Sequence, residues 1–138
     1  MNRLEEYISQ NGGKITMDMA YAISSLSILE AHSTLAAESV VKELRDQRQN
    51  LKLIASENYS SLSVQAAMGS LLTDKYSEGF PGHRFYAGCD NVDVIESAAV
   101  EKAKKIFGAD HAYVQPHSGA DANLCAYWAI LNQRVQIP

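Results

Sequence analysis

The chain has 138 residues, of which 46% are hydrophobic and 20% are charged, and its formal net charge is −4. This length allows one domain with a hydrophobic core. The acidic balance gives no electrostatic reason to bind nucleic acid or an anionic membrane, so neither is expected as a partner. Two cysteines are too few for a disulfide framework, residues 1–6 lack the layout of a signal peptide, and no apolar run approaches the roughly 20 residues that span a bilayer. We therefore expect a cytoplasmic protein.

Three helices are predicted in the first half of the chain. Residues 17–30 place apolar side chains along one face, and a second helix from Ser33 or Thr34 to about residue 50 alternates apolar with charged side chains. Residues 64–72 predict a shorter helix. Nothing in residues 1–34 indicates a role beyond helix packing.

Residues 73–90 combine glycine and proline with aromatic and charged side chains. Glycine and proline at this density forbid a long helix. Long irregular segments that keep such side chains are usually functional loops or docking arms. Packing in a core or an interface is the more ordinary use of the four aromatic residues, which are Tyr76, Phe80, Phe85 and Tyr86.

A helix is predicted at residues 91–107, where apolar side chains recur along one face. Asp90 is the candidate N-cap. Gly108 stands where a helix commonly stops in the left-handed conformation.

The next segment predicts a strand at residues 112–114, a turn at Ser118 and Gly119, and a helix that includes the apolar run 125–131. Free N–H groups at the start of a helix, together with the helix dipole, attract a phosphate or a carboxylate. Gly119 would let the backbone approach such a ligand closely. On spacing alone, an ordinary N-cap is the more frequent meaning of a Ser-Gly pair.

This order of elements indicates an α/β protein whose strands run parallel. Residues 135–138 have the pattern of another strand beginning. Because one strand cannot form a sheet, we expect the chain to be part of a larger protein. The histidines have irregular spacing and predict no metal site; they include His83, His111 and His117.

Three sequence blocks carry a family resemblance. They are LIASEN at residues 53–58, LTDKYSEGFPGHRFYAGC at residues 72–89 and VQPHSG at residues 114–119. In this order they resemble serine hydroxymethyltransferase, a fold-type I enzyme that depends on pyridoxal 5'-phosphate (PLP). The resemblance covers about residues 35–131.

The resemblance implies three segments and a homodimer. Residues 1–34 would be an N-terminal helical extension, and residues 35–90 an arm with an active-site loop exchanged between subunits. Residues 91–138 would begin the PLP-binding large domain of the α/β fold. The implied reaction moves a one-carbon unit between serine and tetrahydrofolate and leaves glycine, with the cofactor as electron sink.

The resemblance also implies roles for single residues in the cofactor and proton chemistry. Ser118, Gly119 and Ala120 would hold the cofactor phosphate. Tyr76 would reach the phosphate bound by the partner subunit. Glu78 would enter the partner's site as the proton-handling carboxylate.

Other positions would contact the substrates or modify the site. Ser56 and Tyr86 would lie beside the amino-acid substrate and its carboxylate. Phe85 stands where the family usually has a second tyrosine, so stacking would be kept but a hydroxyl on the folate side would be lost. Asp121 stands where the family often has a neutral residue, and a carboxylate near a phosphate is mildly unfavourable. Arg84 would pair either with a substrate or folate carboxylate or with a structural carboxylate.

The family's Schiff-base lysine and several other cofactor contacts belong to motifs downstream of these blocks. Lys75 lies in the arm and not in the lysine's motif. We therefore expect the 138 residues alone to be catalytically inactive. The alternatives are a non-catalytic fragment that docks its arm on an intact subunit, and a free-standing phosphate-binding module.

Overall fold

A computed structural model describes residues 3–131 of the chain. The chain divides into two compact units, with the boundary in the sequence between residues 68 and 69. The described part of the first unit contains four helices: α1 (Arg3–Gln10), α2 (Met17–His32), α3 (Thr34–Gln49) and α4 (Leu62–Met68). The described part of the second contains a 3₁₀ turn (Leu71–Asp74), strands β1 (Gly79–Phe80) and β2 (His83–Arg84), and helices α5 (Asp90–Phe107) and α6 (Gly119–Ile130).

Helices α2 and α3 confirm the first two predicted helices, and both begin at hydroxyl caps. The Thr16 side chain accepts a hydrogen bond from the N–H of Met19. Ser33 ends α2 and caps α3, where its hydroxyl accepts from the N–H of Ala36. These bonds satisfy donors that the first turn of a helix leaves without a carbonyl.

Helix α1 was not predicted, and it lies against α2. Arg3 of α1 donates two hydrogen bonds to the carboxylate of Glu30 in α2, both 2.7 Å long. The hydrogen bond from Arg3 is the main reason that the pKa of Glu30 is lowered. A bidentate pair of this kind fixes the geometry of the two helices as well as their charges.

The sheet of the second unit is a short antiparallel hairpin. Gly79 pairs with Arg84, and Phe80 pairs with His83. The predicted strand at residues 112–114 is wrong, because this segment is irregular in the structure. A strand needs a neighbour to accept its backbone hydrogen bonds, and residues 3–131 offer this segment none. The predicted parallel sheet is accordingly not found among these residues.

Other predicted boundaries need smaller corrections. The helix expected at residues 64–72 is two elements, α4 and the 3₁₀ turn. Asp90 is the first residue of α5 and not its cap; Cys89 occupies the cap position without a side-chain hydrogen bond. Gly108 does end α5 in the left-handed conformation, with φ of 60°. The predicted strand at residues 135–138 lies outside the described residues.

Little apolar surface is buried. Among residues 3–131, the buried apolar side chains are Ala37 and Cys89. Large apolar side chains remain exposed on α5 and α6, including Phe107 and Trp128. None of the helices described between residues 3 and 131 is long and apolar enough to cross a membrane.

Candidate active site

The start of helix α6 forms a cup of backbone donors. Ser118 has an extended backbone, and its Oγ accepts from the N–H of Asp121 at 3.1 Å. The N–H groups of Gly119 and Ala120 lie in the first turn of the helix, where no helical carbonyl group is available to accept their hydrogen bonds. A side chain built on Gly119 would meet no atom within 4 Å, so a ligand can approach its backbone. The Ser118 hydroxyl still has its own proton to donate.

Three side chains of the preceding arm come together. The Tyr86 hydroxyl donates to Oε2 of Glu78 at 3.4 Å. The rings of Tyr76 and Tyr86 meet edge to face, with their centroids 5.5 Å apart. We call Tyr76, Glu78 and Tyr86 the arm cluster. It combines one carboxylate with two phenol groups, which is a set that can bind a polar ligand and move a proton.

A buried thiol supports the backbone of the arm cluster. Cys89 is 4% exposed, and its Sγ lies 3.6 Å from the carbonyl oxygen of Tyr76 and 3.4 Å from that of Tyr86. The N–H of Phe85 also donates to the carbonyl oxygen of Glu78 at 3.1 Å. These contacts hold together the two stretches of chain that carry the cluster.

Arg84 organises the hairpin between those stretches. Its Nε donates to Asp93 at 2.7 Å, and Nη2 donates to Glu96 at 2.6 Å. Its Nη1 donates to the carbonyl oxygens of Ser77 and Gly79 at 2.7 and 2.9 Å. The Arg84 side chain is only 5% exposed. The structural ion pair that the sequence left open is therefore the arrangement found.

The segment before the cup joins the same network. Nε2 of Gln115 donates to the carbonyl oxygen of Gly79 at 2.8 Å and to Oε1 of Glu96 at 2.6 Å. Beside these contacts lies a groove of about 780 Å³, whose walls include Tyr76, Glu78 and His117. Two members of the arm cluster, Tyr76 and Glu78, therefore line the same groove as His117, the residue that precedes Ser118.

Comparison with known proteins agrees with this arrangement of motifs. The sequence model of the family described as serine hydroxymethyltransferase matches residues 29–137. The chain belongs to the serine hydroxymethyltransferase family. The resemblance carried by the three sequence blocks is thereby confirmed.

Several serine hydroxymethyltransferases are similar to the chain. The protein of Treponema pallidum is 61% identical over 116 residues, which are 84% of this chain and 20% of that protein. The protein of Mycolicibacterium smegmatis is 56% identical over 123 residues, which are 89% of this chain and 25% of that protein. A protein of Chlamydia trachomatis is 51% identical over 138 residues, the whole chain and 28% of that protein. The chain thus spans between 20% and 28% of the length of these relatives.

The family match covers the arm cluster and the cup but not α1 or most of α2. It begins at residue 29, whereas the similarity to the Chlamydia trachomatis serine hydroxymethyltransferase also includes the residues before it. The N-terminal segment with α1 is therefore shared with at least one relative.

Two further predicted site residues of this serine hydroxymethyltransferase segment are Ser56 and Phe85. Phe85 follows β2 with a side chain that is 75% exposed. Ser56 belongs to the first unit, in a turn closed by a hydrogen bond from the N–H of Glu57 to the carbonyl oxygen of Ile54. Lys52 supports this turn through Nζ, which lies 3.5 Å from Oε2 of Glu57 and 2.9 Å from Oε1 of Glu43. The roles assigned to Ser56 and Phe85 stay predictions.

Sequence reasoning missed the residues that hold the site together. Glu96 and Asp93 are three apart on α5 and so share a face of the helix, which is a signal that they could have a common partner. Cys89 and Gln115 carried no such signal. Their partners are backbone carbonyl groups and a carboxylate that depend on the folded arm.

Asp93 makes the second unit sensitive to acid. The hydrogen bond from the N–H of Gly82 is the main cause that lowers the pKa of Asp93, and Arg84 lowers it further. Ionised Asp93 therefore stabilises the folded second unit at pH values above the ordinary carboxyl pKa of about 4. This stabilisation is lost as the pH falls through the lowered pKa that Asp93 has in the folded chain. We expect the protection factor of the Phe85 amide in hydrogen exchange to fall as the pH drops below about 4.

The variant Asp93→Asn should show a much smaller fall in that protection factor. The pKa values of Glu30 and Glu43 are also lowered, but both residues lie in the first unit. Glu30→Gln is therefore the control, and it should leave the acid response of the Phe85 amide unchanged. An Asp93→Asn variant with the full acid response would contradict this origin of the effect.

Ser118→Ala should weaken the start of α6. Loss of the cap bond to Asp121 is expected to cost about 1 kcal/mol of helix stability. The measurement is hydrogen exchange at the Asp121 amide, which should become faster in this variant. Ser118→Asn, which keeps a capping side chain, should exchange nearly as slowly as the original chain. Equal exchange in the alanine variant would show that the cap bond adds nothing.

Proposed function

We propose that the chain is the N-terminal part of a PLP-dependent serine hydroxymethyltransferase that interconverts serine and glycine with tetrahydrofolate as one-carbon carrier. The enzyme would act as a homodimer in the cytoplasm. The observation that carries the proposal is that the family match includes both the arm cluster and the cup of donors at Ser118.

The cup fits the phosphate of PLP. It offers two unused N–H groups at a helix start and a hydroxyl with a free proton. Ser118, Gly119 and Ala120 would hold the phosphate, and the Asp121 carboxylate in the same turn would weaken its binding slightly. Once bound, the cofactor supplies an electron sink for the amino-acid substrate.

The arm cluster would supply the proton chemistry. Glu78 would take and return the proton of the hydroxymethyl group in the partner subunit's site, and the Tyr86 hydroxyl would orient its carboxylate. Tyr76 would donate to the phosphate held by the partner subunit. Ser56 and Tyr86 would lie beside the amino-acid substrate and its carboxylate, and Phe85 would stack on the folate.

A chimeric enzyme tests the proposal. The chain replaces the aligned 28% of the Chlamydia trachomatis serine hydroxymethyltransferase, to which it is 51% identical. We expect the purified chimera to bind PLP and to convert serine and tetrahydrofolate to glycine within about tenfold of the parent kcat. A folded, dimeric chimera that neither binds PLP nor turns over serine would refute the proposal.

The 138 residues by themselves are expected to be inactive. None of their lysines stands in the motif that would bind the cofactor covalently. Incubation of the chain with PLP and borohydride should therefore leave no lysine specifically modified. Stoichiometric labelling of one lysine would overturn this expectation.

A second candidate is an association fragment that docks on an intact subunit. The observation in its favour is the exposed apolar surface of α5 and α6, including Phe107 and Trp128. We expect the isolated chain to co-elute with the Chlamydia trachomatis enzyme in size-exclusion chromatography. We expect a transient interface of this kind to have a micromolar Kd. Separate elution of the two proteins at a concentration about tenfold above that Kd would count against the association fragment.

A further inference from the structure

The side chain of Gln115 connects two parts of the site that lie 36 residues apart in sequence. One hydrogen bond reaches the carbonyl oxygen of Gly79, which follows Glu78 directly. The backbone of Gln115 itself lies three residues before Ser118, the first residue of the cup. Gln115 can therefore fix the position of the hairpin relative to the cup.

Its partners are held in place independently. The Gly79 carbonyl oxygen also accepts from Nη1 of Arg84, and the second oxygen of Glu96 accepts from Nη2 of the same guanidinium. Gln115, Gly79, Arg84 and Glu96 thus form a closed ring of hydrogen bonds. In a closed ring, displacement of one group disturbs the partners of all the others.

The chemistry of the ring fixes the Gln115 amide. Both partners of Nε2 are acceptors without a proton to donate: a backbone carbonyl group and the ion-paired carboxylate of Glu96. The amide nitrogen must therefore face them. The Glu96 side chain is 14% exposed, so little water competes for these bonds. Hydrogen bonds to a shielded charged group are among the stronger ones in proteins.

We propose that Gln115 is a positioning residue, which sets the Glu78 carboxylate through its hydrogen bond to the Gly79 carbonyl group. The inference rests on the proposed function, because it assumes that Glu78 handles the proton. The new element is that the segment leading to the phosphate cup sets the position of the Glu78 carboxylate in the arm. In this role Gln115 acts through the Gly79 carbonyl group.

A double-mutant cycle in the chimeric holoenzyme tests this role. Gln115→Met keeps the length of the side chain and removes both donated hydrogen bonds. We expect it to lower kcat about tenfold, which corresponds to about 1.4 kcal/mol of barrier, while KM for serine and PLP affinity change less than about threefold. In an enzyme that already carries Glu78→Gln, the same change should lower kcat less than about twofold.

Gln10→Met is the matched control. Gln10 also donates to a glutamate, Oε1 of Glu6 at 3.2 Å, but lies in the segment before the family match. It should leave kcat unchanged in both backgrounds. If Gln115→Met does not fold, Gln115→Asn, which keeps the amide on a shorter side chain, goes through the same cycle.

The outcomes separate the inference from the proposed function. A tenfold loss that persists in the Glu78→Gln background, or no loss in either background, overturns the role of Gln115 and leaves the proposed function intact. If Glu78→Gln alone leaves kcat unchanged, the proton-handling role of Glu78 fails and the inference fails with it. A loss confined to the background with Glu78 supports the inference.

Discussion

Glu78→Gln is expected to lower kcat of the chimeric enzyme by about 10²–10⁴, the usual contribution of a general acid or base. The amide has the size of the carboxylate and can still accept a hydrogen bond from Tyr86. It cannot take up and return a proton at neutral pH. KM for serine should change only a few fold, because the shape of the arm cluster is kept. Steady-state kinetics with serine and tetrahydrofolate measures both constants.

Glu101→Gln is the control for the change in charge. Glu101 is an exposed carboxylate of the same unit, paired with Lys104 on the surface of α5. Its replacement should leave kcat within about twofold of the original value, as surface pairs contribute little. A Glu78→Gln enzyme as active as this control would remove Glu78 from the proposed chemistry.

Gly79→Ala is expected to destabilise the second unit by about 2–4 kcal/mol, from backbone strain and steric overlap together. Gly79 has φ of +105°, and a Cβ there would overlap the carbonyl oxygen of His83 across the hairpin. The strands would have to separate, which breaks the register that pairs Gly79 with Arg84. Urea denaturation of the chain measures the stability, and hydrogen exchange at the Phe85 amide locates the loss.

Gly82→Ala separates strain from overlap. Gly82 also has a positive φ, +74°, but a Cβ there would meet no atom within 4 Å. Its replacement should cost only about 1–2 kcal/mol, the cost of a left-handed conformation. Equal losses in the two alanine variants would contradict the role assigned to the contact with His83.

Local signals explain why most helices could be predicted from the sequence. The start of α3 follows from the Ser33 cap, and the end of α5 follows from Gly108; both depend on neighbouring residues alone. Local signals could not decide whether residues 112–114 form the expected strand. Its apolar pattern is compatible with a strand, but strand formation depends on a neighbour elsewhere in the chain.

In the candidate site, too, some features follow from the local sequence and others depend on distant parts of the chain. The motif at residues 72–89 pointed to Tyr76, Glu78 and Tyr86, and the structure brings these three together. The hydrogen bonds from Arg84 and Gln115 to the carbonyl groups of Ser77 and Gly79 could not be read from spacing, because the hairpin places these acceptors. Residue type predicts what a side chain can donate, but only the fold determines to which atom.

The unequal burial of the two cysteines provides an internal reporter. Cys125 is exposed, whereas Cys89 lies beneath the backbone of Tyr76 and Tyr86. A thiol reagent will therefore alkylate Cys125 at the rate of an open thiol, and Cys89 only when the arm opens. The ratio of the two labelling rates gives the free energy of that opening in the unmodified chain.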